Sequence, residues 1–228
     1  MIAAERAEFY RRLADRTPDP RTELEYVNDY TLVVAVVLSA QATDAGVNLA
    51  TRELFATVRT PEQMLALGEE GLKERIKTIG LFNTKAKNVI ALSQALIEHH
   101  GGKVPPDRDA LQALPGVGRK TANVVMNCAF GAETFPVDTH VFRVSNRTGL
   151  APGKDVAAVE AKLEAETPQP FRRDAHHLLI LHGRYVCKAR KPECWRCVVA
   201  DLCRYQPKTP PPGEEEPTGP PAGTRRRR

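Results

Sequence analysis

The sequence predicts an all-helical protein with short connections. Apolar residues repeat at three- and four-residue spacing through most of the chain, and capping residues and glycines bound these segments. Only Leu32–Leu38 is a continuous, β-branched apolar run of the kind found in buried strands. Because no second strong strand candidate exists to pair with it, we predict a buried helix there as well.

The remaining helices follow in order along the chain. Their buried faces are predicted from apolar residues at helical spacing: Val47, Ala50, Leu54 and Phe55; Leu72, Ile76 and Ile79; Ala86, Val89, Ile90, Ser93 and Ile97; Ala110, Leu111 and Leu114; Val156, Val159 and Leu163; Leu178, Leu179 and His182. Their starts are predicted at Thr60 (followed by Pro61), Thr84, Asp107, Asp155 and Asp174, and three of them end at Gly68, Gly80 and Gly101.

Composition places the chain among globular proteins. It has 228 residues, 42% of them hydrophobic and 27% charged. Its longest apolar stretch is far shorter than the ~20 residues that span a bilayer. The first 24 residues mix five arginines with five acidic residues, which is unlike a signal peptide. We therefore expect a soluble, cytoplasmic protein without a membrane segment.

The net charge of +5 is unevenly distributed. Residues 1–171 hold 20 basic and 22 acidic residues, whereas residues 172–206 hold eight basic and three acidic ones. Such a basic patch is either the footprint of a polyanion or a solvated face. Residues 207–228 contain seven of the 18 prolines and end in four arginines, so we predict a disordered tail that is either solvated or grips phosphates.

Four of the five cysteines, Cys187, Cys194, Cys197 and Cys203, lie within 17 residues. An odd cysteine total without a signal peptide argues against a disulfide framework. Closely spaced thiolates select zinc or an iron–sulfur cluster, and the spacing leaves both open. The fifth, Cys128, lies on an apolar helical face and is predicted to be a buried, inert thiol.

The loop between the first two of these cysteines is basic, with Lys188, Arg190 and Lys191. If a metal centre fixes this loop, it presents a rigid cationic edge. Contacts of such side chains with phosphates set the affinity for nucleic acid and its salt dependence, without selecting sequence.

Residues 114–121 predict a tight turn between two helices, in which Pro115 and Gly116 end the first and Gly118 permits a close or left-handed backbone. A helix N-terminus that follows such a turn is a ready anion site. Lys120 falls in the first turn of the second helix, where a cation is disfavoured. That placement suits a nucleophilic amine, but a phosphate-contacting lysine is the alternative.

Asp138 precedes another helical pattern, within Val137-Asp138-Thr139-His140. It is either an N-cap or a carboxylate that stabilises positive charge developing on a sugar. His140 is either a core-edge histidine or the wall of a pocket. Leu81, just after Gly80, is either a contact that closes a helix or an exposed apolar wedge.

Together these motifs resemble the endonuclease III family of DNA glycosylases. Leu114–Ala122 resembles the helix-hairpin-helix signature of the superfamily, Val137–His140 its catalytic aspartate loop, and the four cysteines its iron–sulfur loop. Leu38–Asp44 and Ile79–Asn83 also resemble endonuclease III. The five motifs occur in the family's order over about residues 1–206, and the tail has no counterpart.

The resemblance implies a two-lobed, all-helical fold with DNA across the cleft between the lobes. Residues 22–132 would form a six-helix domain that contains the helix-hairpin-helix (about 107–127). Residues 1–21 and 133–206 would form the second lobe, with a structural 4Fe–4S cluster on the four cysteines. The implied protein is a monomeric, nucleoid-associated enzyme of base excision repair that binds double-stranded DNA with damaged bases or abasic sites.

The resemblance also implies roles for individual residues. Lys120 would attack the sugar and form a Schiff base, β-elimination would cut the strand, and Asp138 would activate the amine or stabilise the transition state. Gln41 would fill the space left by the flipped base and Leu81 would wedge into the stack. The remaining DNA contacts would come from Pro115, Gly116, Val117, Gly118, Arg119, His140, Lys188, Arg190 and Lys191.

Lys120 and the short tail separate this chain from the adenine glycosylases of the same superfamily, which lack the lysine and carry a further C-terminal domain. The expected activity is therefore a bifunctional glycosylase and lyase that acts on oxidised pyrimidines. The competing hypotheses are a non-enzymatic DNA-binding module and a monofunctional glycosylase with a water nucleophile. Trp195 is a departure, bulky for its place between two ligands, and either shields the cluster or contacts the other lobe.

Overall fold

The computed structural model describes residues 1–214, and within that range every regular element is a helix. The all-helical prediction is therefore confirmed, including the ambiguous segment Leu32–Leu38. The chain forms two compact units. One is Arg21–Pro136, and the other combines Met1–Pro20 with the chain from Val137 onward. None of the described helices is both long and apolar enough to cross a membrane.

The helices are named in chain order. They are α1 (Ala3–Arg16), α2 (Asp29–Leu38), α3 (Asp44–Thr57), α4 (Pro61–Ile76), α5 (Phe82–His100), α6 (Arg108–Gln112), α7 (Arg119–Phe130), α8 (Thr139–Thr148), α9 (Val156–Glu166) and α10 (Ala175–Tyr185). Two 3₁₀ turns, Gln169–Phe171 and Cys194–Arg196, complete the set. Helices α2 to α7 belong to the unit Arg21–Pro136, and the others to the unit that holds both ends of the described chain.

Helix α2 is the centre of the unit Arg21–Pro136. Asn28 caps it, since its side chain accepts a hydrogen bond from the Thr31 amide, and every residue from Tyr30 to Leu38 is buried. The Tyr30 hydroxyl lies 2.7 Å from the Ser93 hydroxyl of α5, which satisfies both polar groups inside the core. A helix buried all round shows no amphipathic period, and this explains why its sequence could be mistaken for a strand.

Helix α5 differs from the prediction. It begins at Phe82, and Leu81 occupies the N-cap position with φ +60°, so Thr84 lies inside the helix and is no cap. Its buried face is formed by Lys85, Ala86, Val89, Leu92, Ser93 and Leu96. Ile90 and Ile97, which the sequence suggested as core residues, are only partly buried. The apolar spacing therefore marked the right helix, but the packed face is centred on Val89, Leu92 and Leu96.

Several other predicted boundaries agree with the structure, but α4 ends at Ile76, before the predicted stop at Gly80, and Asp174 precedes α10 without a capping bond from its side chain. Thr60, Asp107 and Asp155 each accept a hydrogen bond from the backbone of their helix, as N-caps do. Gly68 has φ +74° and breaks α4 into two helical segments, which is the termination predicted for it.

The unit that contains α1 is closed by contacts between distant parts of the chain. Tyr10 of α1 stacks on Phe171 and its hydroxyl lies 3.2 Å from Thr167 Oγ1. Arg6 pairs with Glu166 at 2.6 Å, where both groups are partly buried. Burial is complete for Tyr10, so α1 is an integral part of this core.

The start of the predicted tail also belongs to this unit. Lys208 and Thr209 donate hydrogen bonds to residues of the cysteine-rich loop, so disorder does not begin at residue 207. The side chains there have backbone carbonyl and sulfur partners that compositional reasoning could not anticipate. Residues 215–228, with the four terminal arginines, lie outside the described residues.

Candidate functional site

The turn between α6 and α7 has the geometry of a helical hairpin. The Val117 amide donates to the Leu114 carbonyl at 3.1 Å, and Gly116 between them has φ +78°. A Cβ atom at Gly116 would lie 2.9 Å from Cβ of Asn88 on α5. Both the positive φ and this close approach require glycine at position 116.

Gly118 serves a different purpose. Its φ of −87° is open to any residue, so the left-handed backbone that its sequence allowed is not used. A Cβ atom there would meet nothing within 4 Å, and no side chain caps α7 at this N-terminus. Since the first turn of α7 also lacks an acidic residue, the helix end keeps its capacity for an anion.

Lys120 is the second residue of α7, and its side chain is exposed. The amine is thus accessible to a macromolecular substrate at the same helix end that can receive a phosphate. Pro115 is partly buried and Val117 is buried, whereas Arg119 is exposed beside Lys120.

The structure brings Gln41 and Leu81 onto neighbouring loops. Both side chains are exposed, Leu81 by 59%. Both have left-handed backbone conformations, with φ +55° and +60°. A Cβ atom at Gly80 would lie 4.0 Å from the Gln41 carbonyl oxygen, which places the loops side by side. Non-glycine residues held at positive φ cost about 1–3 kcal/mol each, and such residues cluster at binding sites.

Asp138 is an N-cap, which is one of the two roles predicted for it from the sequence. It caps α8, because its Oδ1 accepts a hydrogen bond of 2.8 Å from the Val141 amide. The carboxylate is half-buried, and its Oδ2 makes no hydrogen bond with residues 1–214. One oxygen therefore orients the group while the other remains available. Lys120 and Asp138 belong to different units.

Helix α8 also holds two arginines that sequence reasoning missed. Arg143 donates to the carbonyls of Gly183 (2.8 Å) and Cys187 (3.0 Å), and its guanidinium lies 3.1 Å from Nδ1 of His140. One turn later, Arg147 donates to the carbonyls of the residues that follow Cys187. Their spacing of four residues was a signal that both would face one partner. His140 is thereby fixed at the edge of α8.

One cavity is lined by all four clustered cysteines, Cys187, Cys194, Cys197 and Cys203. A single tetrahedral zinc would need its sulfur ligands ~2.3 Å from one point. No three His, Cys, Asp or Glu side chains among residues 1–214 are arranged to hold one metal ion. Four thiols around a shared cavity are a donor set that suits thiolate-bound zinc or an iron–sulfur cluster.

The cavity is apolar and partly sealed. His182 Nε2 lies 3.7 Å from Cys197 Sγ, and burial, aided by the charge of Arg196, lowers the pKa of His182 to about 4. The histidine is therefore neutral at pH 7. Burial raises the pKa of Cys197 to about 11, so this thiol would have to lose a proton to serve as a metal ligand.

The basic loop is less cationic than its sequence suggested. Lys188 pairs with Glu193 at 2.5 Å, and because Glu193 also pairs with Arg196, its carboxylate offsets part of the local positive charge. Arg190 and Lys191 are exposed and form no ion pair with residues 1–214, so they are the loop's available cations. Trp195 is 48% exposed and is not among the residues that line the cavity, so the structure gives no support to the shielding role considered for it.

Cys128 agrees with the prediction of an inert thiol. It is partly buried against the core of its unit. Burial raises its pKa to about 11, which keeps the sulfur protonated and weakly nucleophilic at pH 7.

Comparison with known proteins gives two family matches. Residues 34–169 match the model of the HhH-GPD superfamily base excision DNA repair protein, and residues 187–203 match the iron–sulfur binding domain of endonuclease III. The described segment 204–209 lies beyond the second match.

Individual relatives agree with these matches. The chain is 57% identical over 208 residues to endonuclease III of Haemophilus influenzae, covering 91% of this chain and 99% of the relative. It is 61% identical over 188 residues to endonuclease III of Rickettsia conorii, covering 82% and 90%. The solved structure of a trapped endonuclease III–DNA covalent intermediate matches with a TM-score of 0.84 and 44% identity, over 90% of this chain and 96% of that one.

Proposed function

The chain belongs to the endonuclease III family of the HhH-GPD superfamily, and we propose that it excises oxidised pyrimidines from duplex DNA and cleaves the strand through Lys120. The observation that supports this assignment most directly is the position of Lys120. An exposed amine stands at an uncapped helix N-terminus, directly after a hairpin that only glycine permits. That arrangement offers a phosphate site and a nucleophile at one place.

The reaction proceeds in two stages. The damaged base is flipped out of the duplex, at a cost of a few kcal/mol that damage reduces. Lys120 Nζ then attacks C1′ of the sugar, and the C1′–N bond breaks with its electron pair leaving on the base. Loss of a proton and opening of the ring give an imine between Lys120 and C1′. The imine acidifies C2′–H, and removal of that proton expels the 3′ phosphate by β-elimination.

Asp138 serves this chemistry through Oδ2, the carboxylate oxygen that does not cap α8. The bond from the Val141 amide to Oδ1 fixes the carboxylate, and Oδ2 is available to accept a proton from the amine or to face positive charge on the sugar. Gln41 and Leu81 enter the space that the flipped base leaves. Their exposed side chains on adjacent, strained loops support that role.

The DNA backbone is held at two places. One is the hairpin, where Gly116, Gly118 and the N-terminus of α7 receive a phosphate. The other is the loop that carries Arg190 and Lys191. Phosphate contacts of this kind release counterions, so each one lost lowers the log–log salt slope of binding by about 0.9. We expect the enzyme to act as a monomer on double-stranded DNA.

The cofactor is an iron–sulfur cluster, and we propose the 4Fe–4S type on Cys187, Cys194, Cys197 and Cys203. The cavity that all four cysteines line and the match of residues 187–203 to an iron–sulfur binding domain support four ligands to one cluster. When bound, the cluster cross-links the loop that presents Arg190 and Lys191. Four iron and four sulfide per chain, measured on freshly purified protein, are expected.

Borohydride trapping tests the reaction. The full chain is mixed with a duplex that carries one oxidised pyrimidine, and reduction is expected to give a covalent protein–DNA band. The band should vanish in Lys120→Ala and persist in Lys103→Ala, an exposed lysine on another loop. Base release without any band would show a water nucleophile. If the protein binds DNA but neither releases an oxidised pyrimidine nor cleaves an abasic site, it is a DNA-binding module.

A further inference from the structure

The residues that follow the last cysteine, 204–209, are here called the return segment because they fold back toward the thiol cavity. The Arg204 amide donates to the Thr148 carbonyl at 3.1 Å, which anchors the segment to the end of α8. The Tyr205 amide lies 3.5 Å from Cys203 Sγ as a donor. The segment therefore stays beside the fourth cysteine and does not leave the surface.

Arg147 holds the same segment from the other side. Its guanidinium carbon lies 4.8 Å from the centroid of the Tyr205 ring, within the range of a cation–π contact. One of its nitrogens lies 3.7 Å from Cys187 Sγ. Arg147 thus links the first cysteine to the return segment.

Lys208 and Thr209 complete the turn. Lys208 Nζ donates to the carbonyls of Cys203 (2.7 Å) and Tyr205 (2.6 Å), and the lysine stem lines the cavity. Thr209 Oγ1 then donates to Cys194 Sγ at 3.6 Å. The return segment therefore begins next to Cys203 and ends in contact with Cys194.

The Thr209 hydroxyl has a chemical consequence for a bound cluster. A hydrogen bond to a ligand sulfur stabilises negative charge on the thiolate, which favours the reduced form and raises the reduction potential. Cys194 is only partly buried, so the segment that reaches it also limits the approach of water and oxidants. Both effects act on the ligand itself.

We propose that Thr209 is a positioning residue for the cluster, whose hydroxyl donates to the Cys194 sulfur while Lys208 fastens the return segment over the cavity. The segment protects the cluster from oxidative loss and sets its reduction potential. This inference rests on the iron–sulfur cluster and the four cysteine ligands of the proposed function.

The test uses the full, cluster-loaded chain. Iron and sulfide are measured first, followed by the rate of bleaching of the cluster's visible absorbance in ferricyanide and by its reduction potential. Thr209→Val keeps the shape and removes the hydroxyl, whereas Thr209→Ser keeps the hydroxyl. Lys208→Met removes the fastening, and Lys154→Met is the control at an exposed lysine elsewhere in the same unit.

Thr209→Val should bleach at least threefold faster and shift the potential to a more negative value. Thr209→Ser should restore the parental rate and potential, Lys208→Met should bleach faster, and Lys154→Met should match the parent. If Thr209→Val keeps both the parental rate and the parental potential, the inference is wrong. Equal defects in the serine and valine variants would assign the effect to packing and overturn the hydrogen bond. A parental chain without iron would instead refute the cofactor, a distinguishable result.

Discussion

Substitution of the two hairpin glycines by alanine separates folding from DNA binding. Gly116→Ala places a Cβ atom 2.9 Å from Cβ of Asn88 and forces a non-glycine residue to φ +78°. Gly118→Ala meets nothing within 4 Å, and its φ of −87° suits alanine. The two substitutions are chemically identical and lie two residues apart, so each is the control for the other.

The expected loss of stability for Gly116→Ala follows from those two terms. The left-handed backbone costs alanine about 1–2 kcal/mol. The clash involves Cβ of Asn88, which moves only with the backbone of α5, and overpacking of this kind typically costs about 1–3 kcal/mol. The free energy of unfolding should therefore fall by about 2–5 kcal/mol. Gly118→Ala should leave it unchanged or raise it by up to ~1 kcal/mol, because the unfolded chain loses freedom.

Urea denaturation followed by far-UV circular dichroism measures the free energy of unfolding. Fluorescence anisotropy with an abasic-site duplex measures DNA affinity. Gly118→Ala should bind DNA at least tenfold more weakly despite its native stability, because a methyl group would stand where a phosphate approaches the α7 N-terminus. The reasoning is refuted if Gly116→Ala is as stable as the parent. A Gly118→Ala protein with parental affinity would refute the phosphate site.

Three further predictions concern single side chains. Lys85 is 5% exposed and its Nζ has no hydrogen-bond partner within residues 1–214, so Lys85→Met should raise the free energy of unfolding by about 1–3 kcal/mol at pH 7. Burial lowers the pKa of Lys85, so the parent protein becomes more stable as the pH rises toward the unfolded pKa of ~10.4, and the advantage of the methionine variant should shrink. A Lys85→Met protein less stable than the parent at pH 7 would contradict this prediction. Asp138→Asn should still cap the Val141 amide but should no longer release the base. Asp138→Ala should lose base release as well, and thermal denaturation should show a free energy of unfolding lower by about 1 kcal/mol because the cap is gone. Full activity in Asp138→Asn would refute the chemical role. Leu81→Gly should be at least as stable as the parent because φ +60° favours glycine, yet remove bases from duplex DNA at least tenfold more slowly; an unchanged single-turnover rate would count against the wedge.

Local sequence rules predicted most helix boundaries, because capping residues act through bonds three residues away. Thr60, Asp107 and Asp155 all behave as their sequence neighbourhoods indicated. The failure at Thr84 has a physical origin. Leu81 begins α5 from a left-handed conformation that leucine rarely adopts, so no propensity rule could place the start there.

Much of the candidate site was also visible in the sequence, since the motifs that compose it are contiguous. The side chains that support it were not, because their partners are distant. Arg143 and Arg147 reach carbonyls about 40 residues further along the chain, and the left-handed backbone of Gln41 is a conformation that residues other than glycine rarely adopt. The pairing of Lys188 with Glu193 could have been predicted from the sequence, since both residues lie in one short loop.

The division of the chain into an uninterrupted unit and one built from both ends has a consequence for biosynthesis. The Tyr10–Thr167 contact joins residues 157 positions apart, so α1 leaves the ribosome long before its partners exist. At ~5–20 residues per second, that interval lasts about 8–30 s. During it, residues 21–136 can fold as a nascent domain, while α1 waits with Phe9 and Tyr10 uncovered. With the four ligands proposed above, the cluster can be completed only after Cys203 has emerged as well.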